Sequence, residues 1–347
     1  MKKKRARSQP VPGRTAPAPA TGGRVQVGDV VYRKPISFSD SDAKNAQTMR
    51  GTVVWVHPAG RFHVVEFEKG VRESFMGGKR LNAVIKYPGA KWSLAEWIIG
   101  HFPPHHSYLE PFFGSGAVLF TKQRSNIETV NDLDGDVVNL FNWIRNDPER
   151  LARAIYWTPY ARDVYDRAWA AQYTEADPFQ RAVDFYVRMM MGHGFRTTGE
   201  KVGWKNDVQG REAAYAAGYW CKTPEVVYQA AERLRGVQIE NRPAVELIRR
   251  FNFPNVLIYA DPPYLLETRH GKQYRCEMSL KDHVDLLDAL KAHRGPVILS
   301  GYESDLYDDA LTGWYRDEAT AITQTATKRK EILWMNFEPQ GVQERMF

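Results

Sequence analysis

An open, doubly wound α/β sheet is the fold class this sequence predicts, carrying a helical insert and preceded by a small β domain. Three observations predict it. Short apolar runs rich in β-branched and aromatic residues, Val256–Ala260 above all, recur between segments whose apolar residues fall at helical spacing. A glycine turn, Gly114-Ser115-Gly116, joins one such run to a helix. Acids stand where strands end, Asp132 after 127–131 and Asp261 after 256–260. The carboxyl ends of the strands are where open α/β sheets bind their ligands.

At 347 residues the chain is long enough for two or three domains and a sizeable core. No apolar run approaches the ~20 residues that span a bilayer. The N-terminus is basic but lacks the apolar segment of a secretory signal, so no membrane partner is expected. Cys221 and Cys276 are the only cysteines and lie far apart. That fits a reducing cytoplasm and argues against a disulfide framework or a cysteine metal site. His101, His105 and His106 cluster without a cysteine or acid at ligand spacing, so no metal site is expected. The formal charge is +7, and residues 1–24 hold seven cations and no acid, so the rest of the chain is formally neutral.

In chain order, residues 1–23 are rich in Lys, Arg, Pro, Ala and Gly and bury too little surface to offset their ordering entropy. They read as a disordered basic arm: a phosphate contact, an import signal, or a plain solvated tail. Residues 24–80 read as a small β-barrel. Gly28-Asp29 is a turn, Gly51–His57 and Arg61–Phe67 form a hairpin across Pro58-Ala59-Gly60, and Lys69-Gly70 turns again. The pattern is similar to KOW or Tudor-like modules, which bind nucleic acid or peptides or pack on a neighbour. The α/β core occupies 81–146 and 236–347. Its first helix follows the capping-box pattern Ser93-Leu94-Ala95-Glu96. Strands are expected at Ser107–Glu110, Ile127–Val130, Val237–Glu240, Val256–Ala260, Pro296–Ser300 and Glu331–Asn336, and helices at Val137–Ile144, Pro243–Phe251 and from Ser279 to about His293. Residues 147–235 read as a helical insert. There Asp147-Pro148, Asp177-Pro178 and Thr223-Pro224 each pair an N-cap with a first-turn proline.

Asp261-Pro262-Pro263-Tyr264 carries the most chemistry. Two prolines stiffen the backbone and remove two N–H donors while leaving their carbonyls free to accept. An acid, a donor-free carbonyl and a ring make a pocket for a flat group bearing an NH2. Gly114 and Gly116 let the backbone approach a ligand closely. A full dinucleotide fingerprint needs a third glycine where Leu119 stands, which counts against a nicotinamide or flavin enzyme. Asp132 suits either a ribose hydroxyl pair or a helix cap.

Three blocks in order, Lys86-Tyr87-Pro88-Gly89-Ala90-Lys91, Glu110-Pro111-Phe112-Phe113-Gly114-Ser115-Gly116 and Asp261-Pro262-Pro263-Tyr264, resemble the S-adenosylmethionine-dependent DNA adenine-N6 methyltransferases of the Dam type. The resemblance spans roughly Val84 to Phe337. It implies a Rossmann-like methyltransferase sheet with S-adenosyl-L-methionine against Tyr87, Gly89, Lys91, Glu110, Phe112, Gly114, Gly116, Asp132 and Asp261. It also implies that Asp261, Pro262, Pro263 and Tyr264 act on the exocyclic amine of an adenine flipped out of double-stranded DNA. The 147 residues from Gly114 to Asp261 suit the DNA enzymes better than similar RNA or protein methyltransferases, whose gap is shorter. The insert is then the target-recognition part, with Arg188, Arg196, Lys201, Trp204 and Lys205 as DNA contacts. A cytosine-N4 methyltransferase poses the same chemical problem, and an inactive DNA-binding relative is a third reading. The resemblance further implies a bacterial or phage-encoded, nucleoid-associated protein. The recognition sequence and a cognate restriction nuclease remain open.

Overall fold

The computed structural model describes residues 26–33, 49–56, 62–76, 83–194, 196–206, 208, 216–269, 271–322 and 328–339. The basic arm at 1–23 and the Pro58-Ala59-Gly60 turn lie outside them. The chain divides into two compact units, Met1–Lys79 and Arg80–Phe347.

The smaller unit is an antiparallel meander of β1 (Val30–Arg33), β2 (Met49–Val56), β3 (Phe62–Glu66) and β4 (Arg72–Met76), paired in that order. Val53, Val65 and Phe67 form its core. Gly51 is required there, because a Cβ would sit 2.3 Å from the Val65 side chain. The Gly28-Asp29 turn is closed by the Asp29 carboxylate accepting from Gln26 N, and the Gly70 turn by a short 3-10 segment. The expected barrel is not confirmed. Among the described residues β1 and β4 are unpaired edges, so the sheet is open.

The larger unit runs α1 (Ala95–Gly100), β5 (Ser107–Glu110), α2 (Ala117–Thr121), β6 (Ile127–Asn131), α3 (Gly135–Asn146), α4 (Pro148–Trp157), α5 (Arg162–Ala170), α6 (Pro178–Met191), α7 (Ala216–Trp220), α8 (Thr223–Leu234), β7 (Val237–Glu240), α9 (Ala244–Arg250), β8 (Val256–Ala260), α10 (Leu280–Lys291), β9 (Val297–Gly301), α11 (Asp305–Ala310), β10 (Tyr315–Ile322) and β11 (Lys328–Met335). The seven strands order as β10-β11-β9-β8-β5-β6-β7. The five from β7 to β9 are parallel, and β11 and β10 are added antiparallel. Order reverses beside β5, whose neighbours are β6 and β8. Crevices open at such switch points.

Alternation along each strand sorts side chains between two cores. Tyr108, Leu257, Tyr259, Ile298, Leu333 and Met335 face one, and Leu109, Ile258, Ala260, Leu299, Ile332 and Trp334 the other. The first core is shared with the insert helices through Leu151, Tyr165, Phe185, Tyr186, Trp220 and Val227. The second is closed by α9, α10 and α11 through Leu247, Leu286, Leu290 and Tyr307.

Of the helix caps expected from the sequence, all but two form. Asp147 accepts from Arg150 N and Asp177 from Phe179 N, each before a first-turn proline. Ser279 and Asp282 form a reciprocal capping box. Thr223, expected as a cap, is instead the first residue of α8, and its hydroxyl donates back to the Trp220 carbonyl. The Ser93–Glu96 box does not form. A turn from the Lys91 carbonyl to Leu94 N already leads into α1, and the cap position falls on Leu94.

Candidate active site

β5, β6 and β8 end side by side, so their last residues and the loops after them face one crevice. A cavity of about 420 Å³ fills it, within the range of small-ligand sites. Of the residues singled out in the sequence, Tyr87, Gly89, Lys91, Glu110, Phe112, Gly114, Asp132, Asp261 and Pro263 line it. Gly116, Pro262 and Tyr264 are not among its lining residues.

The glycine turn is shaped by aromatic packing. Gly114 and Gly116 adopt positive φ of 49° and 67°, and a Cβ on Gly116 would lie 2.4 Å from the Phe113 ring. The turn is fastened to β6 by Asp132, whose Oδ2 accepts from Gly114 N at 2.8 Å while Oδ1 accepts from Asp134 N at 2.8 Å. Asn131 adds bonds to the Pro111 and Arg242 carbonyls. Asp132 is therefore no helix cap. Asp134 caps α3.

Burial in this crevice raises four carboxyls, Asp134 among them although Arg275 pulls against it. Asp132 is pushed up to about 7, against the opposing pull of the Gly114 and Asp134 amides. Glu110 rises to about 8, its burial outweighing the bond that Tyr108 donates at 2.8 Å. Asp261 rises to about 6, burial again being the largest cause, with Lys91 lowering it and Glu331 raising it.

Around Asp261 the charges form a closed set. Lys91 Nζ lies 3.0 Å from Asp261 Oδ1, 3.5 Å from Glu331 Oε1 and 2.9 Å from the Gly89 carbonyl. Burial would strip its proton, but the two carboxylates outweigh burial and hold it charged. The Tyr264 hydroxyl lies between Asp261 Oδ1, at 3.1 Å, and Glu331 Oε1. Its ring sits under the Lys91 ammonium at 4.8 Å and edge-on to Tyr302 at 4.4 Å. Both Lys91 and Tyr264 thus engage Oδ1 of Asp261, and Asp261 lines the cavity.

A segment after the proline block closes one side. Glu277 accepts from the Gln273 and Tyr274 amides and pairs with Arg269, holding Tyr274 over Gly89. Arg275 reaches Asp134 at 3.1 Å and Asp136 at 2.8 Å. Thr197 of the insert is stapled to the same segment through Gln273 O and Arg275 N.

The insert corrects part of the sequence reading. Arg188, expected on DNA, is 3% exposed. Its guanidinium donates to the Ala168 carbonyl at 2.8 Å and lies 3.5 Å from Asp136, so it braces the interior. Trp204 is half-buried, its ring tilted against Tyr160 at 5.5 Å with Arg162 over it. It anchors a hairpin-like loop closed by His193 N to Gly203 O and Lys205 N to Met191 O. On that loop Arg196 is exposed and faces Glu200, Lys201 is exposed and pairs with Asp166 at 2.7 Å, and Lys205 is half-buried. The three histidines diverge to Asp317, Ser125 and Ser107.

Sequence reasoning missed Glu331, Tyr274 and Arg275. Glu331 carried a signal: in β11 it shares a register with the core-facing Leu333 and Met335, where a carboxylate is out of place. The other two lie in an irregular loop with no periodicity to read.

A mostly parallel sheet of this order, whose glycine turn, strand-end acid and acid–proline–proline block share one cavity, fits the Rossmann-like methyltransferases. Comparison with known proteins narrows the class. A family model described as D12 class N6 adenine-specific DNA methyltransferase matches residues 87–330, and the chain belongs to that family. It is similar to the DNA adenine methylase of Salmonella typhi, 27% identical over 250 residues, covering 69% of this chain and 85% of that protein. The DNA adenine methylase of Serratia marcescens is 26% identical over 263 residues, 71% and 91% of the two chains. That of Escherichia coli K12 is 24% identical over 249 residues, 69% and 85%. The reaction is methylation of adenine N6 in DNA.

Proposed function

We propose that the crevice binds S-adenosyl-L-methionine and that Asp261 with the Pro262 carbonyl receives the N6 amine of an adenine flipped out of double-stranded DNA. The observation that carries this is Asp261 at the cavity wall with Lys91 and Tyr264 both engaging its Oδ1, which leaves Oδ2 as the oxygen for a ligand. The cavity suits this cofactor. Glu110, Asp132, Asp134 and Asp261 line it and complement a ligand bearing a sulfonium and an ammonium. Asp134 Oδ2 is buried there without a hydrogen-bond partner. Phe112, Val245 and Leu286 supply an apolar wall for a flat base.

When bound, S-adenosylmethionine supplies an electrophilic methyl group. The chain's residues make the amine able to take it. An adenine amine is a poor nucleophile because its lone pair is delocalised into the ring. Asp261 Oδ2 accepts one N6 hydrogen and the Pro262 carbonyl the other, pulling the nitrogen toward tetrahedral geometry and stabilising the positive charge that grows on it. Lys91 keeps that carboxylate ionised. Asp261 then takes the proton that the alkylated nitrogen sheds. Tyr87, Gly89 and Lys91 form the cofactor's near wall, Asp132 takes its ribose, and the turn at Gly114 and Gly116 lets the backbone close on it. Tyr264 flanks the target base, and Pro263 keeps the loop extended. Arg196, Lys201 and Lys205 contact DNA phosphates. Among the described residues no helix is long and apolar enough to cross a membrane, and the bacterial relatives support action at the nucleoid.

The test is to methylate duplex DNA with isotopically labelled S-adenosylmethionine and digest it to nucleosides. N6-methyldeoxyadenosine is the expected product. N4-methyldeoxycytidine, or failure of the protein to bind the cofactor in calorimetry, overturns the reading.

A further inference from the structure

Glu331 lies one residue beyond the segment that the family model matches and has no part in the proposed chemistry. It is nevertheless among the most buried carboxyl groups of the site. Strand β11 turns it inward, 3% exposed. Three donors from three separate segments converge on its Oε1: Ser300 Oγ of β9 at 2.6 Å, the Tyr264 hydroxyl, and Lys91 Nζ at 3.5 Å. A buried carboxylate is costly to maintain unless its partners need it. The sheet does not need it, because Leu333 and Met335 fill the same face with apolar groups.

Two of those donors are the ones that hold Asp261. Lys91 and Tyr264 each reach from Oδ1 of Asp261 to Oε1 of Glu331, so the four groups close a ring. A lysine or a tyrosine bound to one carboxylate alone could follow it through rotation about χ2. Lys91, bound to two, is fixed between them, and Tyr264, whose one proton serves Asp261 or Glu331 in turn, is kept in reach of both, so Asp261 is left a single orientation.

We propose that Glu331 is a positioning residue for methyl transfer, holding Lys91 and Tyr264 so that Asp261 presents its free oxygen to the target amine. The inference rests on the role proposed above for Asp261. It adds that the second carboxylate takes part of the Lys91 charge and so keeps Asp261 a strong acceptor.

Asp261 is faced by Lys91 from the N-terminal block, Tyr264 beside it, Glu331 of β11, Glu110 of β5, Tyr259 of β8, Tyr274 of the closing segment and Tyr307 of α11. Of these, Glu331 is the like charge that raises Asp261 most. Glu331→Gln keeps shape and acceptor oxygen but removes the charge. The expected result is kcat lower by about a hundredfold, the order of loss that a misplaced reacting group brings, with KM for S-adenosylmethionine within about threefold. The acid limb of the rate profile should move to lower pH, because a like charge has gone. A residue that only stabilised the fold would lower the melting temperature and leave that limb in place. An unmoved limb, or kcat within threefold of wild type, overturns the proposal.

Should Glu331→Gln fail to fold, Tyr264→Phe breaks the same ring at another link. It removes a bond to the ionised Asp261, so the limb should move to higher pH and kcat should fall; an unmoved limb again overturns the proposal. Asp261→Asn is assayed alongside. If it retains activity the role of Asp261 itself is wrong. If it is inactive while Glu331→Gln behaves as wild type, only the role of Glu331 is wrong.

Discussion

Replacing Asp261 with asparagine removes one charge and little else, and the structure sets what should follow for both fold and rate. Lys91 would keep Glu331 at 3.5 Å and the Gly89 carbonyl at 2.9 Å, so its ammonium is not orphaned. The loss therefore falls below the ~3–5 kcal/mol of a broken buried pair. Against that, the site already disfavours the charge it loses. Asp261 is raised from 3.8 to about 6, which at about 1.4 kcal/mol per pH unit costs the native state about 3 kcal/mol when the group is ionised. The two effects oppose each other, and stability at pH 8 should change by no more than about 2 kcal/mol in either direction. The rate has no such compensation. An amide oxygen carries no full charge to set against the nitrogen's developing one, and turnover should drop by about 10²–10³-fold. Denaturant unfolding and single-turnover methylation of a duplex, both at pH 8, measure the two quantities. Activity within tenfold of wild type would refute the role of Asp261. Unfolding by more than about 4 kcal/mol would refute the ledger and leave the rate loss without meaning.

Asp132→Ala should weaken cofactor binding more than it slows turnover at saturating cofactor, since a ribose contact is uniform binding; a collapsed turnover with unchanged affinity counts against it. Affinity for S-adenosylmethionine should rise from about pH 6 to 8, because a cationic ligand draws Glu110 (about 8) and Asp132 (about 7) into their charged forms. Proton release, read by calorimetry in two buffers of different ionisation enthalpy, checks this. The ligand-free protein should do the reverse: these acids hold their protons more tightly when folded, so its melting temperature should fall as pH rises from about 4 to 8. Arg188→Ala should destabilise the fold by about 2–4 kcal/mol, because it leaves the Ala168 carbonyl unpaired in the interior, and a folded variant with weaker DNA binding alone would show Arg188 on DNA after all. Removing residues 1–79, the smaller compact unit, should leave the methylated sites unchanged while flattening the salt dependence of DNA affinity, since the seven cations of residues 1–24 go with it. An equal slope for both chains rules the arm out.

Where local chemistry decides, the sequence was legible. β5, β7 and β8 fall at the residues expected, Ser107–Glu110, Val237–Glu240 and Val256–Ala260, the last an unbroken apolar run. Asp147, Asp177 and Ser279 cap helices because their oxygens have first-turn amides within reach. β10 was not legible. Tyr-Arg-Asp-Glu-Ala-Thr-Ala-Ile is an edge strand with no apolar run, and only its pairing with β11 makes it a strand. Arg188 misled for a related reason. A basic residue in the helical insert reads as a phosphate contact until Asp136, 52 positions away, is found beside it. The three motif blocks named the site's chemistry, but Glu331 came to it through sheet register, which a linear reading carries only as one charge out of pattern.

The shared first core sets a limit on how this protein can be re-engineered. Helices α4 to α8 contribute their apolar faces to the same packing that supports Tyr108, Val130 and Tyr259. Residues 147–235 are therefore not a cassette. Exchanging them whole with a relative of different target sequence would expose the underside of the sheet and unseat the strand ends that form the crevice. The loop between Met191 and Lys205 is another matter. It is joined to the rest at a few backbone bonds, at Thr197, at the Lys201–Asp166 pair and at Trp204, and exchanges between relatives should be confined to it and keep those four ties.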